Sequence, residues 1–190
     1  MTSIIDLSNE IIFASSDSNI SRQISILEKV GKLRKIAPRL YTSNTMDSAE
    51  NIVRRNLLDI LVWRYPGAVI SHRSAKELRP TATGDFFLTT TQSKRITDLP
   101  GIIINLQKGP AASIDDVSYN GLFISEEYRW MLENMQSSRK SGDESKLLPI
   151  STIEEKLEKI LLLGGEDKLN EYRDKLHSTS IKLNMDKEYD

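Results

Sequence analysis

Residues Asn19–Thr42 read NISRQISILEKVGKLRKIAPRLYT, and this stretch decides how the chain is organised. Ile20, Ile24, Leu27 and Val30 recur at helical spacing and give one apolar face. Ahead of them, Ser15, Ser16, Asp17, Ser18 and Asn19 are all capping residue types, and Gly31 stands where a helix C-cap belongs. The following KLRKIAPRLYT has Leu33, Ile36, Leu40 and Tyr41 as its apolar positions and is broken by Pro38. That pattern predicts a short hairpin turning near Ala37, Pro38 and Arg39.

A helix followed by a basic hairpin is the outline of a winged helix, which needs an apolar back and a polar front to lie in the major groove. The front would carry Ser21, Arg22, Gln23, Ser25 and Lys29. Arg and Gln are residue types that make paired contacts to guanine and adenine edges. Ser hydroxyls suit phosphates. The hairpin adds Lys32, Arg34, Lys35 and Arg39, enough positive charge to hold the DNA backbone. In the whole stretch only Glu28 opposes these cations. The competing reading is a solvated basic face on a small structural helix and hairpin.

Outside this stretch the chain is ordinary for a folded domain. It has 190 residues, a net charge of −1 and no cysteine, which excludes disulfides, thiolate metal sites and a Cys nucleophile. Asp6 and Glu10 interrupt the apolar N-terminus, which is not a signal peptide, and no apolar run reaches membrane-spanning length. A cytoplasmic location with no membrane partner is expected.

Downstream, Asp47 or Ser48 caps a helix with Ile52, Val53, Leu57, Ile60 and Leu61 as its core, ended by Pro66 and Gly67. Ala68–Ser71, DFFLTTT, GIIINLQ and Gly121–Ile124 are strand candidates, Arg73–Leu78 is a short helix, and Ser125 opens another helix to about Met135. Residues 136–146 are polar and linker-like. A helical hairpin follows, with Ser151 and Glu154 as a capping box and the break at Gly164 and Gly165. The expected fold is α+β, with an N-terminal winged helix-turn-helix at 1–46, a mixed α+β domain at 47–136 and a helical hairpin at 147–180.

Taken together, ISRQISILEKVGKLRKIAPRLYTSN, ENIVRRNLLDILVWRYPGAVISHRSAKEL, GDFFLTT, LPGIIINLQKGP and LFISEEYRWMLENM resemble, in order and spacing, AbiEi-type antitoxins and the related N-terminal regions of some bacterial Fic-family proteins. The resemblance extends through EEKLEKILLLGGEDKLNEYRDKL. It implies a transcription-regulating, antitoxin-like module that binds operator DNA through Ser21, Arg22, Gln23 and Ser25, with Arg34, Lys35 and Arg39 on the wing. Fic catalysis uses a His-Pro-Phe motif. The two histidines here, His72 and His177, lie in SHRSA and LHSTS, so that motif is absent. The chain looks like the N-terminal part of something longer. Ser151–Glu155 matches the start of a Fic inhibitory motif, but Lys156 stands where Gly or Asn belongs.

Other candidates are weaker. His72 at a strand end, with Asp85 nearby in sequence, is a possible base, but with no second His nearby and no obvious nucleophile it reads as structural. Asp115 and Asp116 match no calcium-loop spacing, and no Gly-rich phosphate loop is present. Arg54, Arg55 and Arg64 either widen the basic surface or pair with Asp59 and other acids. Trp63, Tyr65 and Trp130 are expected in the core or at an interface. No catalytic residue, metal or cofactor is assigned, and the oligomeric state is left open. The expected function is a DNA-binding regulator or antitoxin-like module and not an enzyme. The alternative is a protein-interaction module that holds a toxin or a tethered Fic domain without binding DNA.

Overall fold

A computed structural model of the chain describes residues 5–135 and 146–185; most of the expected 136–146 linker lies outside them. The fold is mixed α+β, with two sheets and six helices among the described residues. The chain parts into two compact units. The first comprises residues 1–64 and 96–103, the second 65–95 and 104–190.

The first unit begins with β1 (Ile11–Phe13), then α1 (Ser18–Lys29), β2 (Arg34–Ala37) and β3 (Leu40–Thr42). Asp17 is the residue that caps α1: its carboxylate accepts from the Asn19 and Ile20 backbone N–H groups. Gly31 takes φ 73°, as a helix-ending glycine should. The strands form a sheet in the order β1-β3-β2, all antiparallel, with an irregularity between Lys35 and Ala37. Ile12, Ile24 and Leu33 form the core, with Ile20, Leu27 and Tyr41 packed on it. Val30 is not part of it. It is 62% exposed, because it lies on the flank of α1 beyond the arc that Ile20, Ile24 and Leu27 define. A helix-turn-helix requires a helix ahead of α1, but residues 5–17 hold β1 and turns instead.

The helix expected after Asp47 is two short ones, α2 (Ala49–Arg55), capped by Ser48, and α3 (Leu57–Arg64). The break falls at Asn56, whose side-chain amide donates both to the Ile52 carbonyl and to Glu10. A side chain inserted into the helical ladder in this way interrupts it. All five expected core residues of this region are buried. Phe13 stacks on Trp63 with ring centroids 4.7 Å apart.

The second sheet has the order β6-β7-β5-β4-β9-β8. Its strands are β4 (Val69–Ile70), β5 (Asp85–Thr90), β6 (Lys94–Leu99), β7 (Ile102–Lys108), β8 (Val117–Tyr119) and β9 (Leu122–Ile124). The turn of the β6–β7 hairpin, within 96–103, belongs to the first unit. β4 runs antiparallel to β5 and parallel to β9. Around these strands the chain adds α4 (His72–Glu77) and α5 (Glu127–Met135). Last comes α6 (Ile150–Lys182), helical on both sides of Gly165, which at φ 69°, ψ −168° is not. Lys156 on the first arm lies 5.8 Å from the ring of Tyr172 on the second, so the arms fold back on each other. Both arms reach one core cluster, through Ile153 and Tyr172, with Trp130 and Met131 of α5. The expected capping role of Ser151 is not realised. α6 starts two residues earlier than that cap requires, at Ile150, with Pro149 at the N-cap and no side-chain cap. Proline's fixed φ suits a helix start and leaves no N–H to satisfy.

Candidate nucleic-acid interface

Around α1, rotation by 100° per residue sets Arg22, Ser25, Ile26 and Lys29 on the side opposite the Ile20, Ile24 and Leu27 face. All four are exposed, and Ile26 is 51% accessible. Arg22 and Lys29 have no ion-pair partner among the described residues, and neither do Lys32 and Lys35, which are also exposed. Ile26 was missed in the sequence pattern because an apolar residue on the outer face breaks the amphipathic rule. Its signal is that it is two residues out of phase with Ile24.

The other expected site residues have internal engagements. The Ser21 hydroxyl donates to the Ser15 carbonyl at 3.0 Å, and the Ser25 hydroxyl donates back to the Ser21 carbonyl at 3.1 Å. Gln23 is half-buried, and its Oε1 accepts from the Ile5 backbone N–H at 3.3 Å. Arg34 is half-buried too. Its guanidinium donates to the Asp47 carbonyl at 2.6 Å and the Asn44 carbonyl at 3.4 Å, which pins β2 to the loop before α2. Arg39 sits at the hairpin tip with φ 60°, its guanidinium 5.6 Å from the Trp63 ring centroid.

The three arginines that were ambiguous in sequence are paired. Arg54 meets Glu50, Arg64 meets Asp98 at 2.7 Å, and Arg55 bridges Glu10 and Asp47. Asn44 and Asn56 also donate to Glu10. The Arg55 hydrogen bond, with help from the two amides, holds the Glu10 carboxyl at about 2. These cations therefore tie the first unit together, and among that unit's described residues the cations without an ion-pair partner lie on α1, the hairpin and the turn between them.

Sequence reasoning also missed a buried ionic cluster in the second unit. Arg129 is fully buried. Its guanidinium donates to Glu133 at 3.0 Å, to Asp116 at 2.6 Å, and to the carbonyls of Ala111 and Pro110. Glu133 also accepts from the Ser125 hydroxyl and from the backbone N–H of His72. Burial pushes the Glu133 carboxyl up, against the pull of Arg129 and these donors. The one sequence clue was an Arg and a Glu four residues apart, flanking the apolar run Trp130, Met131 and Leu132. Asp116, on a loop 13 residues away, completes the cluster only in three dimensions.

Comparisons of the chain with protein-family models, with curated proteins and with solved structures find no match. No helix among the described residues is long and apolar enough to cross a membrane.

Proposed function

We propose that the first unit binds duplex DNA as a winged helix, with α1 in the major groove and the β2–β3 hairpin against the backbone. The chain is then a transcription-regulating, antitoxin-like module of the cytoplasm and not an enzyme. The observation that carries this reading is the outer face of α1, where Arg22 and Lys29 flank Ser25 and Ile26 without ion-pair partners among the described residues. At 12 residues, α1 is about 18 Å long, enough to cross several base pairs. Arg22 is suited to guanine, and Ile26 to the methyl group of thymine. Lys32 and Lys35 supply phosphate contacts. Ser21, Gln23 and Arg34 support the head from within, given their internal bonds.

The test is fluorescence anisotropy of the full chain on labelled duplexes across a salt series. Arg22→Ala should relax base preference. Lys35→Ala should weaken all duplexes alike and reduce the log–log salt slope by about 0.9. Absence of salt-dependent duplex binding at low ionic strength would end this reading.

A second reading, in which the module holds a toxin or a Fic domain, is favoured by Leu162 and Leu163 beside the α6 bend, 85% and 79% exposed. Replacing both by Ser would abolish capture of a co-expressed partner under that reading and leave DNA affinity untouched under the first.

A further inference from the structure

We propose that a cavity in the second unit binds a small phosphate-bearing anion, held by Lys108 and Lys146 and oriented by His72. The cavity has a volume of about 510 Å³, and its polar lining includes His72, Thr89, Gln107, Lys108, Lys146 and Asn184. That size is ordinary for a metabolite site.

The charge balance of the lining favours an anion. Among the described residues, Glu133 contributes the single carboxylate of the wall. Its oxygens accept from Arg129, Ser125 and the His72 backbone N–H, so its charge is answered inside the protein. Lys108 and Lys146 have no ion-pair partner among the described residues. The unanswered charge facing the cavity is therefore positive, and paired ammonium groups suit phosphate oxygens.

His72 is positioned in a way that a purely structural histidine does not need. It is 5% exposed and has φ 52°, a backbone conformation unusual outside glycine. Its backbone is clamped by Glu133 at 2.8 Å, and Nδ1 lies 3.0 Å from the Ser71 hydroxyl. The other ring nitrogen, Nε2, makes no hydrogen bond among the described residues, although the residue lines the cavity. Burial, with the charges of Lys146 and Arg129, keeps the imidazole neutral, so it adds a hydrogen bond and no charge. The positive φ of His72 persists because surrounding structure enforces it, and such conformations cluster at ligand sites. At Gly109 in the wall, an added Cβ would lie 2.8 Å from the Thr89 methyl, so the close approach there depends on glycine.

The experiment is an NMR titration of the isotope-labelled full chain with inorganic pyrophosphate and with adenosine monophosphate, at constant ionic strength. Saturable shifts of the Thr89, Gln107, Gly109 and Asn184 amides with either probe are expected, at millimolar or lower concentration. Lys108→Ala and Lys146→Ala should each weaken binding about tenfold, the size of one charge-assisted contact. Both positions are at least partly solvent-exposed, so the variant spectra should otherwise match the parent. The proposal is overturned if neither probe saturates these amides, if the saturable shifts fall on α1 instead, or if binding ignores both lysine substitutions. It stands or falls independently of DNA binding.

Discussion

Removing Arg129 should come close to unfolding the second unit. Arg129→Met keeps much of the side-chain volume but deletes four hydrogen bonds, two of them to the buried carboxylates of Asp116 and Glu133. Adding four charged bonds at about 1.5–3 kcal/mol each would overshoot, because the arginine also loses its desolvation cost. Breaking a buried pair by removing one partner costs about 3–5 kcal/mol, and that is the expected loss at neutral pH. Domains of this kind have only about 5–15 kcal/mol to lose. The deficit should shrink as pH falls. Burial already pushes the Glu133 carboxyl up, and without the guanidinium nothing of that charge opposes the rise, so the folded state binds more protons there as pH falls and regains stability. Denaturant unfolding followed by Trp130 emission on a Trp63→Phe background isolates this unit, since the chain has two tryptophans. Adding Asp116→Asn and Glu133→Gln to Arg129→Met should restore most of the loss. A cost under about 1 kcal/mol for Arg129→Met, with no dependence on pH, would refute the reasoning that this cluster is an interdependent ionic network.

In the first unit, acid should act through Glu10. Its carboxyl is depressed to about 2, so the stability it confers is complete above the unfolded value near 4.5 and is lost as pH falls through the folded one. Trp63 emission on a Trp130→Phe background should show an acid transition in that window, and Glu10→Gln should remove that contribution. Gly165→Ala forces a side chain into φ 69°, ψ −168° and should destabilise the α6 bend by about 1–3 kcal/mol, read by denaturant midpoint. Arg39→Ala removes the guanidinium over Trp63 and should cost about 0.5–1 kcal/mol with a change in Trp63 emission; an unchanged spectrum would show that the contact is not populated.

Periodicity made α1 and its hairpin legible, because Ile24 and Leu33 bury where the pattern puts them. β5 and β7 were legible from their β-branched and aromatic runs. β6 was not, because KRITDL lies at the end of the strand order with most of its residues exposed and carries no apolar alternation. β1 is three residues long and exists by pairing with β3, a contact about 30 residues away in the chain. Of the candidate site, the exposed cations were legible as composition. Their sorting was not: Arg34 donates inward to carbonyls of the loop after β3, whereas Lys35, its neighbour on the strand, points to solvent. The boundary at 46 followed a change of texture, while the compact grouping keeps α2 and α3 with α1, bound by the Glu10, Arg55 and Asp47 contacts. The Arg129 cluster was out of reach because its members meet only through tertiary folding.

The discontinuity of the first unit limits how it can be moved. Its chain leaves at residue 64, returns for 96–103 and leaves again. A fragment ending at Arg64 lacks the Asp98 that pairs with Arg64 and the Gly101 carbonyl that accepts from Arg54. Shuffling this head between proteins therefore cannot be done as a single linear cassette. A recombination event, or an engineer, would have to carry two segments together, which couples the inheritance of the head to that of the sheet through which its second segment is threaded.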